Sequence, residues 1–177
     1  MDKQLLLNNL RNIPDFPIKG VQFKDVSTLF CNAACVQEML DEMERLYKDK
    51  DITKVVGMES RGFPLGAALA DRLKCGFVMC RKAGKLPGEV LIEQYNKEYG
   101  KDQVEIHLGS IDENDVVLIH DDIMATGGSL MACYRLVNKF SPRKVFVNFI
   151  MELTSEGLEG GKLLRQQGIE YDALLTL

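Results

Sequence analysis

The sequence lacks any strong excess of charge. It carries 22 Lys and Arg residues against 26 Asp and Glu residues, a formal net charge of −4, and the two signs are mixed along the chain. A nucleic-acid-binding protein is expected to have a basic face, and a membrane-surface protein a polybasic tract, and neither is present. We therefore expect no nucleic-acid partner and no membrane partner, and any phosphate site must be local.

Long apolar runs are also missing. Near the N-terminus only residues 5–7 form such a run, which is far too short for a signal peptide or a membrane-spanning helix. The five cysteines are odd in number and include no Cys-x-x-Cys pair. We expect reduced, partly buried thiols and a cytoplasmic location.

Two common nucleotide-binding motifs are absent. The nearest approach to a P-loop, at residues 157–163, is one residue short and ends in Leu163. No G-x-G-x-x-G occurs either, which removes the usual dinucleotide-binding interpretation. No repeat, low-complexity tract or linker interrupts the chain, so its 177 residues, 46% of them apolar, predict a single domain over residues 1–177.

What the sequence does contain is an alternation of strand-like and helix-like segments. In residues 33–50 apolar side chains recur every three or four positions, as in a helix packed on one side, and helices are also predicted at 62–73 and 128–140. Apolar runs rich in β-branched residues predict strands at 52–57, 76–80, 104–108, 116–120 and 144–151. The alternation predicts an α/β fold with a mainly parallel central sheet flanked by helices.

Two segments fall outside this alternation. Residues 1–30 contain a short amphipathic helix and then a hook, in which Pro14 and Pro17 impose an extended path. Residues 81–103 are long and polar enough to predict a flexible loop. Because ligands of parallel sheets bind beyond the carboxyl ends of the strands, we expect the site at the loops 59–63, 81–100 and 121–129.

Residues 116–129 combine a buried strand with a phosphate-binding turn. An apolar run at 116–119 is followed by Asp121 and Asp122, two carboxylates that need hydrogen-bond donors or a cation near a core. The hydroxyls of a ribose, with magnesium nearby, would meet that need. Gly127 and Gly128 then let the backbone approach an anion at a helix N-terminus. Either half alone is an ordinary strand end or turn, but in this order they predict a site for a phosphorylated ribose.

The run VVLIHDDIMATGGS resembles the phosphoribosyl-pyrophosphate signature of the type I phosphoribosyltransferases. Further segments resemble the adenine phosphoribosyltransferases among them, and they follow the family order at residues 13–17, 20–25, 59–63, 81–88, 98–100 and 151–154. The resemblance implies the type I phosphoribosyltransferase fold, with a small N-terminal hood and a flexible lid loop. It also implies transfer of the 5-phosphoribosyl group from phosphoribosyl pyrophosphate to adenine, which gives AMP and pyrophosphate.

The resemblance further implies how the phosphate and ribose groups are bound. Asp121 and Asp122 contact the ribose hydroxyls, and the 5-phosphate is surrounded by Ala125, Thr126, Gly127, Gly128 and Ser129. Mg²⁺ is bound largely through substrate and water, with no direct protein ligand. The leaving pyrophosphate is bound by Arg61, Arg81, Lys82, Lys85 and Tyr99. Residue types fit this role, because Arg offers a planar fork for phosphate oxygens and Lys a compact charge.

The base and the catalytic groups are assigned in the same way. Phe23 and Leu153 stack on adenine, and groups around Lys24 read its edge. Glu98 is implied as a general acid or base near N7, and the implied catalytic residues are Glu98, Arg61 and Lys82. In similar enzymes the loop at 59–61 contains a non-proline cis peptide, so we predict one next to Ser60. A homodimer is also implied, since the partner's copy of the 81–100 loop reaches toward the pyrophosphate.

Several alternatives stay open. The Arg81–Lys82 pair could be a solvated surface pair, Glu98 an ordinary loop carboxylate, and Phe23 a core residue. The base could be a 6-oxopurine, or the protein could sense phosphoribosyl pyrophosphate without turning it over. His120 stands where the family has an aliphatic residue, and we predict that it finds a partner in the core and takes no part in catalysis.

Overall fold

A computed structural model describes residues 1–96, 101–154 and 158–177, except for the side chains of Asn96 and Lys101. In this part of the chain the strands are β1 (Arg11–Pro14), β2 (Gln22–Asp25), β3 (Lys54–Met58), β4 (Gly76–Lys82), β5 (Val90–Asn96), β6 (Lys101–His107), β7 (Val116–Met124), β8 (Lys144–Glu152) and β9 (Asp172–Thr176). The helices are α1 (Lys3–Asn9), α2 (Ser27–Phe30), α3 (Ala33–Tyr47), α4 (Gly62–Leu73), α5 (Gly128–Asn138) and α6 (Gly160–Gln166).

The central sheet has the strand order β5-β6-β4-β3-β7-β8-β9. In the run β4-β3-β7-β8-β9 each strand pairs in parallel with its neighbours. Strand β6 pairs antiparallel with β4 on one side and with β5 on the other. This confirms the predicted α/β fold with a mainly parallel sheet. Because β3, β4 and β7 are parallel neighbours, the three loops that follow them meet at one edge of the sheet.

Helices cover both faces of the sheet. Successive residues of β7 point to opposite faces, so Leu118 packs with α3 and α4 while Ile119 packs with α5. The local sequence explains these helices. In α3, for example, Met39 and Met43 are buried on one face, and the Asn32 side chain caps the first turn by accepting hydrogen bonds from two backbone amides.

The predicted helices and strands are observed within a few residues of their expected bounds. Some short elements were not predicted: α2, α6, β9 and the β1–β2 hairpin that forms the N-terminal hook. In this hook Pro14 ends β1, and Asp25 forms an ion pair with Arg11 across the hairpin. The hairpin is held by long-range pairing, which periodicity does not reveal.

The segment 81–103 differs from the expected loop. Its described part contains the end of β4, all of β5 and the first residues of β6, and the β5–β6 register runs from Val90 opposite His107 to Asn96 opposite Lys101. The polar residues Glu93, Gln94 and Asn96 in its second half made β5 resemble a loop in the sequence. The pairing partner lies in the next strand, and in the described part of this segment residues 83–89 form an irregular turn.

His120 has the core partner that was predicted. Its side chain is fully buried in β7, and Nδ1 lies 3.0 Å from Oδ1 of Asn148 in β8. Burial lowers the pKa of His120 to about 4, so the ring is neutral at physiological pH.

Within the described residues, no helix has the length and apolar content needed to cross a membrane.

Candidate active site

The loop after β3 brings Arg61 to the end of β7. The peptide bond between Glu59 and Ser60 is cis, which confirms the prediction next to Ser60. Gly62 begins α4 so close to β7 that a Cβ there would lie 2.6 Å from the backbone oxygen of His120 and 3.2 Å from Cα of Asp121. Only glycine permits this approach, and as a result Arg61 lies beside the two carboxylates.

Arg61 connects a carboxylate with the N-terminal hook. Its Nε lies 2.6 Å from Oδ2 of Asp122, and its guanidinium carbon lies 5.6 Å from the centre of the Phe23 ring. The second distance is within cation–π range. Asp122 Oδ2 is buried and makes this ion pair, but it has no hydrogen bond of normal geometry among the described residues. The pair is thus held by charge and leaves hydrogen-bonding capacity at Asp122.

The two adjacent carboxylates are electrostatically strained. Burial raises the pKa of Asp121 well above its usual range, and the neighbouring Asp122 carboxylate raises it further. Burial also raises the pKa of Asp122, although Arg61 opposes this shift. The Asp122 amide donates a hydrogen bond of 2.9 Å to Oδ1 of Asp121, which offsets only part of the penalty. A ligand that donates hydrogen bonds to both groups would relieve it.

A cavity of about 300 Å³ joins seven of the predicted site residues. Among its lining residues are Arg61, Arg81, Lys82, Asp121, Asp122, Ala125 and Ser129. Cations from two loops therefore face the carboxylates and the start of the phosphate-binding turn across one space. Arg81 is itself paired with Glu59, at 3.2 Å from Nε to Oε2, so it is not a solvated surface residue.

The turn after β7 has the geometry of an anion site. Gly127 has φ of 81° and precedes α5 without a side-chain cap, so the first amides of the helix remain open. Ala125 and Ser129 line the cavity, whereas Thr126 and Gly128 line two adjoining recesses. The turn is also bonded to the start of α6, because the Gly160 amide donates a hydrogen bond of 2.8 Å to the Ala125 carbonyl.

The other predicted residues are not among those that line this cavity, and two of them fall outside the described residues. Lys85 is exposed on the turn between β4 and β5, and Lys24 is half-buried in β2. Phe23 is also half-buried, with its ring centre 5.1 Å from that of Phe16 in an edge-to-face contact. Leu153 is half-buried after β8 and donates its backbone N–H to Met124 O at 2.9 Å. Glu98 and Tyr99 lie outside the described residues.

Sequence reasoning missed three residues at the site. Tyr95 lines the cavity, and its hydroxyl lies 3.1 Å from Asp102. Glu59 accepts the backbone N–H of Lys82 at the end of β4, and Glu105 accepts that of Lys85 in the turn that follows. In the sequence Glu105 looks like a solvated strand residue, and only the strand pairing identifies it.

A larger recess of about 760 Å³ lies elsewhere, between α3, α6 and β9. It contains no carboxylate pair of the kind found at β7, and its Tyr171 and Arg165 side chains already contact each other and Glu152. We therefore place the chemistry in the smaller cavity. No group of three or more His, Cys, Asp or Glu side chains in the described part of the chain is arranged to bind a metal ion directly.

Comparison with known proteins gives a consistent result. The phosphoribosyl transferase domain family matches residues 30–153. An adenine phosphoribosyltransferase of Phocaeicola vulgatus is 58% identical over 177 residues, covering 100% of both chains. Among solved structures, APRTase from Giardia lamblia complexed with 9-deazaadenine has a TM-score of 0.92 and 37% identity, covering 100% of this chain and 98% of that one.

A second similar solved structure is a complex with two small molecules. It is adenine phosphoribosyltransferase from Saccharomyces cerevisiae complexed with an imino-altritol bisphosphate and adenine. Its TM-score is 0.84 at 38% identity, and the match covers 96% of this chain and 95% of the yeast chain.

Proposed function

This chain belongs to the phosphoribosyltransferase family and, within it, to the adenine phosphoribosyltransferases, and from that premise we propose how its residues carry the reaction. The enzyme transfers the 5-phosphoribosyl group from phosphoribosyl pyrophosphate to adenine, giving AMP and pyrophosphate. The observation that supports our assignment best is the cavity in which the Asp121–Asp122 pair faces Arg61 and Lys82 beside the open turn at Ala125.

The ribose-5-phosphate end of the substrate binds to β7 and its turn. Asp121 and Asp122 accept hydrogen bonds from the ribose hydroxyls, which relieves the penalty of two buried, adjacent carboxylates. The 5-phosphate binds the backbone amides of residues 125–129 at the N-terminus of α5. Thr126 and Ser129 add hydroxyl donors to this turn.

The pyrophosphate end binds the cations on the opposite side of the cavity. Arg61 would exchange its Asp122 contact for the pyrophosphate, while Lys82 and Lys85 approach from the β4–β5 turn. Arg81, held by Glu59, adds positive potential, and Tyr99 completes the set. Since charge develops on the leaving group, these cations stabilise the transition state more than the ground state.

Adenine binds toward the N-terminal hook. Phe23 contacts Arg61, so its ring lies next to the cavity and can stack on the base, with Leu153 on the other side and Lys24 near the edge. Glu98 acts as the general acid or base at N7. Such a proton transfer contributes about 10²- to 10⁴-fold to the rate in enzymes generally.

Mg²⁺ fits the residues present, although they do not form a cage for it. Asp121 and Asp122 offer hard oxygen atoms, and Asp122 Oδ2 retains hydrogen-bonding capacity. These two residues would hold the ion through water and through the substrate oxygens. When bound, Mg²⁺ neutralises charge on the pyrophosphate.

The direct test is to mix the protein with adenine, phosphoribosyl pyrophosphate and Mg²⁺ and to measure AMP. We expect AMP to form with adenine and not with hypoxanthine or guanine, and to stop when Mg²⁺ is chelated. Turnover of a 6-oxopurine would overturn the base assignment. Binding of phosphoribosyl pyrophosphate without any AMP would favour a sensor.

The enzyme is also proposed to be a homodimer. Phe77 and Met79 lie on one face of β4, Met79 is 41% exposed, and the Phe63 ring centre lies 6.1 Å from that of Phe77. Together with Phe63 of α4 they form a small apolar surface, the Phe63 patch, in which Met79 is exposed and the two Phe rings are half-buried, and a second copy of the chain would cover it. A cytoplasmic location is supported by five unpaired cysteines.

A further inference from the structure

The turn between β4 and β5 is wrapped around a single buried carboxylate. Glu105 in β6 is only 2% exposed. Its Oε2 accepts the Gly84 N–H at 2.9 Å, and its Oε1 accepts the N–H groups of Lys85 and Leu86 at 2.7 and 2.6 Å. Three consecutive backbone donors thus converge on one side chain.

The sequence sets this arrangement through strand register and one glycine. Glu105 pairs with Arg81 across the β4–β6 ladder, directly before the turn begins. Gly84 has φ of 80°, which turns the chain back so that its amides face the carboxylate. Arg81 closes the turn from the other side by donating to the Lys85 carbonyl at 3.1 Å.

The electrostatic balance keeps Glu105 anionic. Burial acts to raise its pKa, but the three amides and the nearby Arg81 charge more than offset this, so its pKa is lowered. Hydrogen bonds to a charged acceptor are stronger than neutral ones, and a buried amide left without an acceptor is destabilising. These hydrogen bonds therefore tie the backbone at Lys85 and its two neighbours to β6, shortly after Lys82 at the end of β4.

We propose that Glu105 is a positioning residue for pyrophosphate binding: it fixes the turn so that Lys82 and Lys85 meet the leaving group. This inference rests on the proposed function, in which those lysines bind pyrophosphate. The described hydrogen bonds of Glu105 all go to this turn and none to β7, its phosphate-binding turn or the hook. Its effect should therefore be confined to one end of the substrate.

The test is Glu105→Gln, assayed in both directions. The amide would replace one acceptor oxygen by a donor that faces backbone donors. We expect KM for phosphoribosyl pyrophosphate and for pyrophosphate to rise at least about tenfold, the equivalent of losing one charged hydrogen bond. KM for adenine and for AMP should stay close to that of the unsubstituted enzyme, and Glu105→Asp should give an intermediate result.

Asp115→Asn is the matched control. Asp115 is also buried and caps a loop, accepting the Asp112 N–H at 2.9 Å and the Thr53 hydroxyl at 2.6 Å, but it precedes β7 at the opposite end of the sheet. It should lower stability without changing any KM. If Glu105→Gln does not fold, Gly84→Ala strains the same turn and should raise the same two KM values.

Two results would overturn the proposal: an unchanged KM for pyrophosphate, or an equal rise of all four KM values. The proposed function fails in a different way, because then the unsubstituted protein would form no AMP from adenine. A defect limited to the two pyrophosphate-containing ligands would support the positioning role.

Discussion

At the residue scale, the burial of the adjacent carboxylates of Asp121 and Asp122 lowers the stability of the fold, and we propose that the pair is kept for substrate binding. Burial raises the pKa of both carboxylates above the ordinary value, that of Asp121 more strongly. Arg61 neutralises one of them and stacks on Phe23, so in the absence of substrate it bridges the ribose and base regions. In the proposed mode of binding, substrate displaces this bridge, so we expect the site to be sensitive to the ionisation of both carboxylates.

Asp121→Asn should therefore stabilise the folded protein and lower its enzymatic activity. The folded-state pKa of Asp121 lies above the unfolded value of about 3.8, so the folded form binds more protons above that pH and stability falls as pH rises. Asparagine removes this penalty. Urea unfolding should show the variant more stable than the parent at pH 7 and equal to it below pH 3.8, with kcat/KM for phosphoribosyl pyrophosphate about 10- to 100-fold lower. A variant less stable at pH 7 would contradict this account.

His120 predicts the opposite pH dependence. Its folded-state pKa of about 4 lies below the ordinary value of 6.5, so the unfolded chain takes up a proton first on acidification. Between pH 6.5 and 4 this group should remove about 1.4 kcal/mol of stability per pH unit. His120→Gln should flatten the urea-unfolding profile over that range. A profile that His120→Gln leaves unchanged would count against this assignment.

At the scale of elements, strongly periodic segments were predicted well and those held by distant pairing were not. Helices α3 and α4 and strand β7 carry their own apolar pattern, and all three lie within a few residues of their expected bounds. Strand β5 depends on β6 for its pairing, and its polar positions, Glu93 and Gln94 among them, read as a loop. Glu105 has no sequence signal, because only register places it beneath the turn.

Helix α6 supports the phosphate-binding turn, a role that its sequence did not suggest. The run at 157–163 looked only like an incomplete P-loop. In the structure a Cβ on Gly160 would lie 2.5 Å from the Ala125 oxygen and 2.8 Å from the Gly127 nitrogen. Both contacts are with backbone, so the turn would have to move.

Gly160→Ala should consequently weaken the ribose-5-phosphate end of the site. We expect kcat/KM for phosphoribosyl pyrophosphate to fall about 100-fold, the effect of displacing a binding group by about 1 Å. KM should rise for phosphoribosyl pyrophosphate and AMP but not for pyrophosphate, the converse of Glu105→Gln. Gly168→Ala is the control, because φ there is 69° and no atom lies within 4 Å, so the strain is local. Equal effects of both substitutions would refute the support role.

At the scale of the whole molecule, parallel topology builds the site from distant sequence segments. The neighbours β4, β3 and β7 end at one edge, so residues near 60, 82 and 122 meet across one cavity. The sequence predicted this convergence through the order of strands and helices. It could not show that Met79 stays exposed beside the half-buried Phe77, since both read as ordinary strand residues.

The Phe63 patch predicts the oligomeric state. If a second copy covers the Phe63 patch, the protein should sediment as a dimer, and Met79→Glu should convert it to a monomer by placing a charge against apolar surface. Leu108→Glu is the control, because Leu108 is 47% exposed, outside the patch, and its substitution should leave the dimer intact. Since the partner's 81–100 loop is proposed to reach the pyrophosphate, the monomer should also lose activity. A Met79→Glu protein that still sediments as a dimer would place the interface elsewhere.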